Sequence, residues 1–90
     1  STLDDVLIFP NPVKPGYNGT IAISKLMENA LVRITNGSGD LVYETRSEGG
    51  QAIWSGTDMK GEKVQAGIYL ILISTEDGFT GTSKKLLFLK

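Results

Sequence analysis

The hydrophobic residues of this chain fall into short runs that turn-forming residues separate. Apolar stretches of about four to eight residues alternate with clusters of Gly, Asn, Asp and Pro, and no window shows sustained helical periodicity. This pattern predicts an all-β domain with seven strands: Val6–Phe9, Gly19–Lys25, Ala30–Asn36, Leu41–Arg46, Gln51–Ser55, Gly67–Ser74 and Thr82–Lys90. Short strands at this spacing predict two packed antiparallel sheets.

Two of the predicted strands alternate clearly between apolar and polar positions. Ile21 and Ile23 point to one face of the second strand, and Val32 and Ile34 do the same in the third. A half-buried antiparallel sheet requires one apolar face on each strand. We therefore expect these four residues in the core.

The run GIYLILIS, residues 67–74, has no polar face. It suits either a central strand or a short buried helix. A preceding glycine, several β-branched or aromatic residues and the following turn TEDG favour the strand. We expect a strand that neighbouring elements cover on both faces.

The segments between strands carry the residues of tight turns. In NGSGD, Asn36, Gly37 and Gly39 are candidates for positive φ, and in DMKGEKV, Asp58 and Gly61 predict a tight reversal. We expect both segments at the surface.

Two further segments predict corners. The pair Gly49–Gly50 predicts a bend where the chain crosses from one sheet edge to another, or a simple flexible loop. Pro10, Pro12 and Pro15 hold their segment extended and end the first strand, because proline fixes φ and cannot donate to a ladder. They make either a stiff attachment corner or only the end of an edge strand.

Composition and charge exclude several classes of protein. Ninety residues allow one core, and the net charge of −1, from nine basic and ten acidic residues, leaves no basic patch for nucleic acid. The longest apolar run is too short to span a membrane, so we expect no membrane insertion. Cysteine is absent, which excludes disulfides and thiolate sites. The chain begins STLDD, without methionine or a signal peptide, and we expect it to be part of a longer protein.

Little in the sequence supports catalysis. Histidine is absent, which removes the usual general base and the commonest metal ligand. Neighbouring acids such as Glu76 and Asp77 suit solvated turns better than a catalytic pair. The segment Thr57–Glu62 has oxygen ligands but lacks the spacing of a calcium loop, so a turn is favoured. We expect no enzyme, no cofactor and no metal.

Two groups of side chains leave alternatives open. Trp54, Tyr43 and Tyr69 suit either core packing, which we favour because each lies in a predicted strand, or a platform for sugar or peptide. Lys84 and Lys85 suit either a basic anchor or an edge strand protected against pairing.

Four motifs, taken in order, resemble a known family. They are FPNP at 9–12, WSG at 54–56, GEKVQAGIYL at 61–70 and KKLLFLK at 84–90. Together they resemble the C-terminal sorting domains of the Por, or type IX, secretion system of Bacteroidetes, over nearly the whole chain. The block WSGTDMKGEKVQAGIYL also resembles the Ig-like module of flagellar hook-capping proteins, although Ser55 stands where that pattern has aspartate.

The resemblance implies which residues carry the secretion signal. These domains begin with a Pro-Asn-Pro element, carry a Gly-x-Tyr strand and close with a lysine before a final apolar strand. The corresponding candidates are Pro10, Asn11, Pro12, Gly67, Tyr69, Lys85, Leu86, Leu87, Phe88, Leu89 and Lys90.

The resemblance also implies a fold and a function. Residues 1–90 would form one Ig-like antiparallel β-sandwich of about seven strands, the C-terminal module of a longer protein. It would be a non-catalytic sorting or recognition module for type IX secretion or attachment at the outer membrane surface, reached in the cell envelope or outside the cell after export. Its partners would be the type IX translocation machinery and preceding domains. These domains are expected to be β-propellers, because NPVKPGYNGTIAI at 11–23 and GDLVYETRSEGGQAIWSG at 39–56 resemble the terminal module of a propeller-containing accessory protein of that system. The terminal strand would be the recognised element, presented as an edge strand. The alternative function is a carbohydrate- or peptide-binding accessory domain.

Overall fold

Seven strands form two antiparallel sheets in the computed structural model, which describes residues 5–78 and 80–89. The strands are β1 (Leu7–Phe9), β2 (Ile21–Ser24), β3 (Leu31–Asn36), β4 (Leu41–Arg46), β5 (Ala52–Trp54), β6 (Gly67–Ser74) and β7 (Gly81–Phe88). Each overlaps the predicted strand of the same order. Within the described residues, no helix has the length and apolar character needed to cross a membrane.

The two sheets stack as the layers of a sandwich. One has three strands in the order β1-β2-β5, and the other has four in the order β4-β3-β6-β7. The chain passes from β4 to β5, and so between the sheets, through Gly49 and Gly50, whose φ values are 64° and 83°. The predicted all-β sandwich and the predicted bend at 49–50 are both confirmed.

The core lies between the sheets. Ile21, Ile23, Val32 and Ile34 are all buried there, as their alternation predicts. Trp54 of β5 is the largest fully buried side chain among the described residues, at 1% exposure. The remaining core members are Val6, Val13, Leu26, Ala30, Ala52, Tyr69, Ile71, Ile73 and Leu86.

The strand β6 is central in its sheet, but only one of its faces is fully buried. Tyr69, Ile71 and Ile73 point into the core, whereas Ile68 on the other face is 47% exposed. The expectation of cover on both faces is therefore wrong. A two-layer sandwich buries only the inner face of each sheet, so the apolar residues on the outer face of β6 meet solvent.

The turns follow the predicted chemistry in one case and differ in the other. The Asp58 carboxylate accepts hydrogen bonds from the N–H groups of Lys60 and Glu62, at 2.9 and 3.0 Å, which confirms the tight reversal. In the 36–40 turn, only Gly39 has positive φ, at 89°. Asn36 acts instead through its side chain, whose Oδ1 accepts from the N–H groups of Ser38 and Asp40.

Candidate recognition site at the terminal strand

The motifs expected to carry the signal come together at one corner of the sandwich. β7 lies at the edge of the four-stranded sheet, with β6 as its neighbour, which confirms the predicted edge position of the terminal strand. The register sets Gly67 opposite Phe88, and Tyr69 opposite Leu86. The Gly-x-Tyr strand and the terminal apolar strand are therefore direct partners.

Asn11 of the Pro-Asn-Pro element binds the outward edge of β7. Its Nδ2 donates to the Lys85 carbonyl at 2.8 Å, and the Leu87 N–H donates to its Oδ1 at 3.2 Å. The side-chain amide thus supplies one donor and one acceptor, as a paired backbone residue would. This contact links the first and last motifs of the chain.

Val13 extends the same contact with its backbone. Its N–H donates to the Leu87 carbonyl and its carbonyl accepts from the Leu89 N–H, both at 2.8 Å. Its side chain is 3% exposed, between exposed neighbours. Sequence reasoning missed Val13, although an apolar residue directly after Pro12 was a signal for the burial of its side chain. We call residues 11–13 the clamp segment.

The prolines mark the place where the chain leaves one sheet for the other. β1 ends at Phe9, as predicted, and by Val13 the chain forms a parallel bridge with Phe88 of the other sheet. Residues 10–12 form bends, so the expectation that the prolines hold this segment extended is wrong. The Phe9–Pro10 and Asn11–Pro12 peptide bonds are cis. The attachment corner remains a prediction.

An aromatic cluster lies beneath the terminal strand. The Phe88 ring meets Trp54 and Tyr69 edge to face, with centroid distances of 5.7 and 5.5 Å, and Tyr43 lies against Trp54 at 6.5 Å. The Tyr69 hydroxyl donates to the Gln65 carbonyl at 2.6 Å, and burial raises the pKa of that hydroxyl.

This packing decides between the two alternatives for the aromatic residues. Trp54 and Tyr69 are buried and Tyr43 is partly buried, so core packing is confirmed. The alternative of a sugar or peptide platform is wrong, because the rings that would have stacked on a ligand pack against one another. The alternative function based on that platform loses its site.

The motif WSG has a packing role at the same corner. Gly56 has φ 73°, and a Cβ atom there would lie 3.5 Å from the Phe88 ring. The Trp54 indole N–H donates to the Thr57 carbonyl at 2.7 Å, which satisfies its one polar atom. The motif therefore seats Trp54, and its glycine supplies the positive φ that the turn requires.

The candidate residues of β7 divide into buried and displayed groups. Leu86 is fully buried and Phe88 faces the aromatic cluster. Lys85, Leu87 and Leu89 face outward, with Leu87 36% and Leu89 41% exposed. Lys90 lies outside the described residues.

The acidic side chains of the described residues do not gather into a metal site. Among residues 5–78 and 80–89, no set of three or more Asp or Glu side chains is placed to hold a metal ion. The segment Thr57–Glu62 forms the Asp58 turn already described.

The fold is an Ig-like β-sandwich, and an amino-terminal Pro-Asn-Pro element holds its last strand at a sheet edge. These features define a small recognition module. The chain belongs to the CHU_C family, the type IX secretion signal domain, whose model matches residues 5–89. The predicted membership is confirmed, and the chain is a type IX secretion signal domain.

Two solved structures from Porphyromonas gingivalis are similar to this chain. PorZ, described as an essential bacterial surface component of the type IX secretion system, is 26% identical with a TM-score of 0.88, over 98% of this chain and 12% of that one. Latent dimeric PorU is 22% identical with a TM-score of 0.66, over 93% of this chain and 9% of that one, and shows the fold. No curated protein sequence matches the chain. The resemblance to flagellar hook-capping modules stays a prediction.

Proposed function

We propose that this domain is a non-catalytic sorting signal that the type IX translocation machinery recognises in its folded form. The observation that carries the proposal is the clamp segment, which holds Lys85, Leu87 and Leu89 outward while Leu86 and Phe88 are packed inward. The signal is then the surface of a positioned strand. It is not a flexible tail.

The alternation along β7 supports a folded signal. Side chains on a strand point to opposite faces in turn, so displaying residues 86–89 as a free peptide would remove Leu86 and Phe88 from the core. Leu86 is fully buried, and large-to-small changes at such sites cost about 2–5 kcal/mol. Recognition of the folded edge avoids that cost.

We further propose that the domain is the C-terminal module of a longer protein that is exported to the outer membrane surface. The chain spans about an eighth of the PorZ chain it matches, since it covers 12% of that chain, and PorZ is a bacterial surface component. We also propose that β-propellers precede the domain, because two segments of its sequence, 11–23 and 39–56, resemble the terminal module of a propeller-containing accessory protein of that system. Sequencing the region upstream of Ser1 tests this part directly, and a short upstream region without a domain contradicts it.

The test of the signal uses a periplasmic reporter with this chain fused to its C-terminus, in a bacterium that has a type IX system. The double variant Leu87→Ser, Leu89→Ser changes only outward side chains, and Leu41→Ser on β4, at 53% exposure, is the matched control. We expect at least about tenfold less reporter at the cell surface for the double variant and no change for the control.

Circular dichroism and urea unfolding of the purified domains check that each variant is folded. Unchanged export by a folded double variant would contradict recognition at the terminal strand. Export that is lost equally in the Leu41→Ser control would point to a general surface effect and would also contradict it.

A further inference from the structure

We infer that residues 81–85 of β7 form a docking edge for an extended acidic segment of a partner, which adds to the four-stranded sheet as a fifth strand. The inference rests on the proposed function in one respect, since it takes the type IX machinery as the source of that partner. We call the outward backbone of residues 81–85 the open edge.

The direction of the backbone groups follows from the bonds of the clamp segment. Leu87 directs both its N–H and its carbonyl away from β6, toward Asn11 and Val13, and the Lys85 carbonyl points the same way. Backbone groups of a strand alternate with a period of two residues. The N–H and carbonyl of Ser83 and the N–H of Lys85 therefore face the same edge.

The clamp segment covers only half of that edge. It satisfies β7 from the Lys85 carbonyl to the Leu89 N–H. No described residue outside β6 bonds to the backbone of Ser83, and no described strand lies beside residues 81–85. Five strand residues span about 17 Å, enough for a short added strand. Unpaired strand edges are the surfaces that accept such strands.

A surface cleft lies next to the open edge. It holds about 380 Å³ and is lined by Arg33, Leu72, Ser74, Gly81 and Ser83, among others. Residues opposite each other in neighbouring strands share a face of the sheet, so the partner residue beside Ser83 would direct its side chain over this cleft. Added strands gain affinity from the backbone and specificity from such pockets.

The charges at the open edge favour an acidic partner. Lys84 and Lys85 form no ion pair with any described residue, whereas Arg33 at the cleft pairs with Glu44 at 3.3 Å. Glu76, in the connection between β6 and β7, is the nearby acid in sequence, and its carboxylate already accepts a hydrogen bond from the Asn29 side-chain amide at 2.8 Å. Two unpaired lysines disfavour pairing with a second copy of this edge and favour a strand with carboxylates opposite them.

The direct test titrates the isotope-labelled 90-residue chain with three blocked peptides. One is Thr-Val-Thr-Glu-Glu-Thr, the second has lysines in place of the glutamates, and the third is the glutamate peptide with N-methyl groups on alternate residues. We expect the glutamate peptide to shift and protect the Ser83 and Lys85 amides, with at least about tenfold weaker binding for the other two.

The variant Ser83→Pro tests the edge itself. It removes an N–H that points away from β6, so the β6–β7 ladder keeps its bonds, and proline is tolerated at such edge positions. Ser83→Thr, which keeps the N–H, is the matched control. We expect Ser83→Pro to weaken glutamate-peptide binding at least about tenfold with unchanged circular dichroism, and Ser83→Thr to bind as the parent chain does.

Several results would overturn the docking edge. They are equal binding of the glutamate and lysine peptides, amide shifts centred on β4, and unchanged binding by Ser83→Pro. If no peptide binds, the lysines serve only to protect the edge. If the Ser83→Pro variant fails to fold, the affinity of the parent chain for the N-methylated peptide decides instead, because that experiment needs no change in the protein.

The reporter fusion separates this inference from the proposed function. Export reduced about tenfold by Ser83→Pro and not by Ser83→Thr supports the machinery as the source of the partner. Unchanged export by a Ser83→Pro chain that no longer binds peptide overturns that assignment and leaves the sorting function standing. Failure of the unmodified fusion to reach the surface contradicts the sorting function, and the peptide titration still decides the docking edge.

Discussion

The Phe88 ring meets the Trp54 indole edge to face, with 5.7 Å between the ring centroids. Trp54 belongs to β5 of the three-stranded sheet, and Phe88 is the last residue of β7 in the four-stranded sheet. One aromatic contact therefore joins the two layers at the corner where the candidate site lies. The terminal strand therefore contributes to the packing between the layers.

Replacing Phe88 should destabilise the domain far more than replacing its outward neighbour. We expect Phe88→Ala to lower the free energy of unfolding by about 3 kcal/mol, because it leaves a cavity beside Trp54 and removes aromatic contacts. Leu87→Ala, on the exposed face, should cost less than about 1 kcal/mol. Urea unfolding of both variants measures the difference. Equal costs would contradict the inward packing of Phe88.

Replacing Asn11 should release the outward edge of β7. Asn11→Ala removes both side-chain bonds, and we expect a loss of about 1–3 kcal/mol and faster hydrogen exchange at the Leu87 amide. Asn11→Asp keeps an acceptor for that amide but sets a carboxylate against the Lys85 carbonyl, so it should restore exchange protection without restoring stability. Asn18→Ala, at an exposed position, is the matched control. If the hydrogen-exchange rate of the Leu87 amide is the same in Asn11→Ala as in the parent chain, the bond between Asn11 and β7 is contradicted.

Gly19 and Tyr17 should be coupled. A Cβ atom at Gly19 would lie 2.5 Å from the Tyr17 hydroxyl oxygen and 2.7 Å from Cζ, so the ring must move and its 2.7 Å bond to the Thr20 carbonyl is lost. Because the Tyr17 ring is 41% exposed and free to swing outward, we expect Gly19→Ala to cost less than about 1 kcal/mol in the parent chain and close to nothing in a Tyr17→Ala background. A double-mutant cycle measures the coupling, and strictly additive costs would contradict it.

Stability should fall at high pH through Tyr69. Burial raises the pKa of Tyr69 above its ordinary value of 10.0, so the folded state holds the phenol proton more tightly than the unfolded state does. The resulting stability is full below the unfolded pKa and is lost as pH rises through the folded pKa. Tyr69→Phe should be less stable by about 1 kcal/mol near neutral pH, since it loses the bond to Gln65.

The measurement for Tyr69 is the urea midpoint of both chains between about pH 8 and pH 11. We expect the advantage of the parent chain over Tyr69→Phe to shrink above about pH 10, because only the parent has this proton to lose. A constant difference across that range would show that Tyr69 ionises equally well in the folded and unfolded states.

Local patterns predicted most of the architecture. Alternation at Ile21 and Ile23 identified the inner face of β2, and glycines at 49–50 marked the crossing between sheets. These features follow from the backbone preferences of a few neighbouring residues. The turn at 36–40 shows the limit of that approach, because Asn36 satisfies the turn with its side chain where positive φ was expected.

Long-range contacts were beyond those patterns. The apolar run of β6 is equally typical of a strand buried on one face and of a strand buried on both. The number of layers in the fold decides between the two, and in this two-layer sandwich Ile68 is exposed. Val13 lies beside Phe88 only because the two ends of the chain meet in the folded structure. The bonded residues Asn11 and Leu87 are 76 positions apart in the sequence. No local signal encodes that pairing.

The sequence by itself determined the all-β class, the order of the strands along the chain and the family motifs, because each rests on short-range periodicity and turn chemistry. Tertiary structure alone decided which of the motif residues are displayed and which are packed. That division is set by sheet order and register, which place the clamp segment over one half of the β7 edge and leave the other half open.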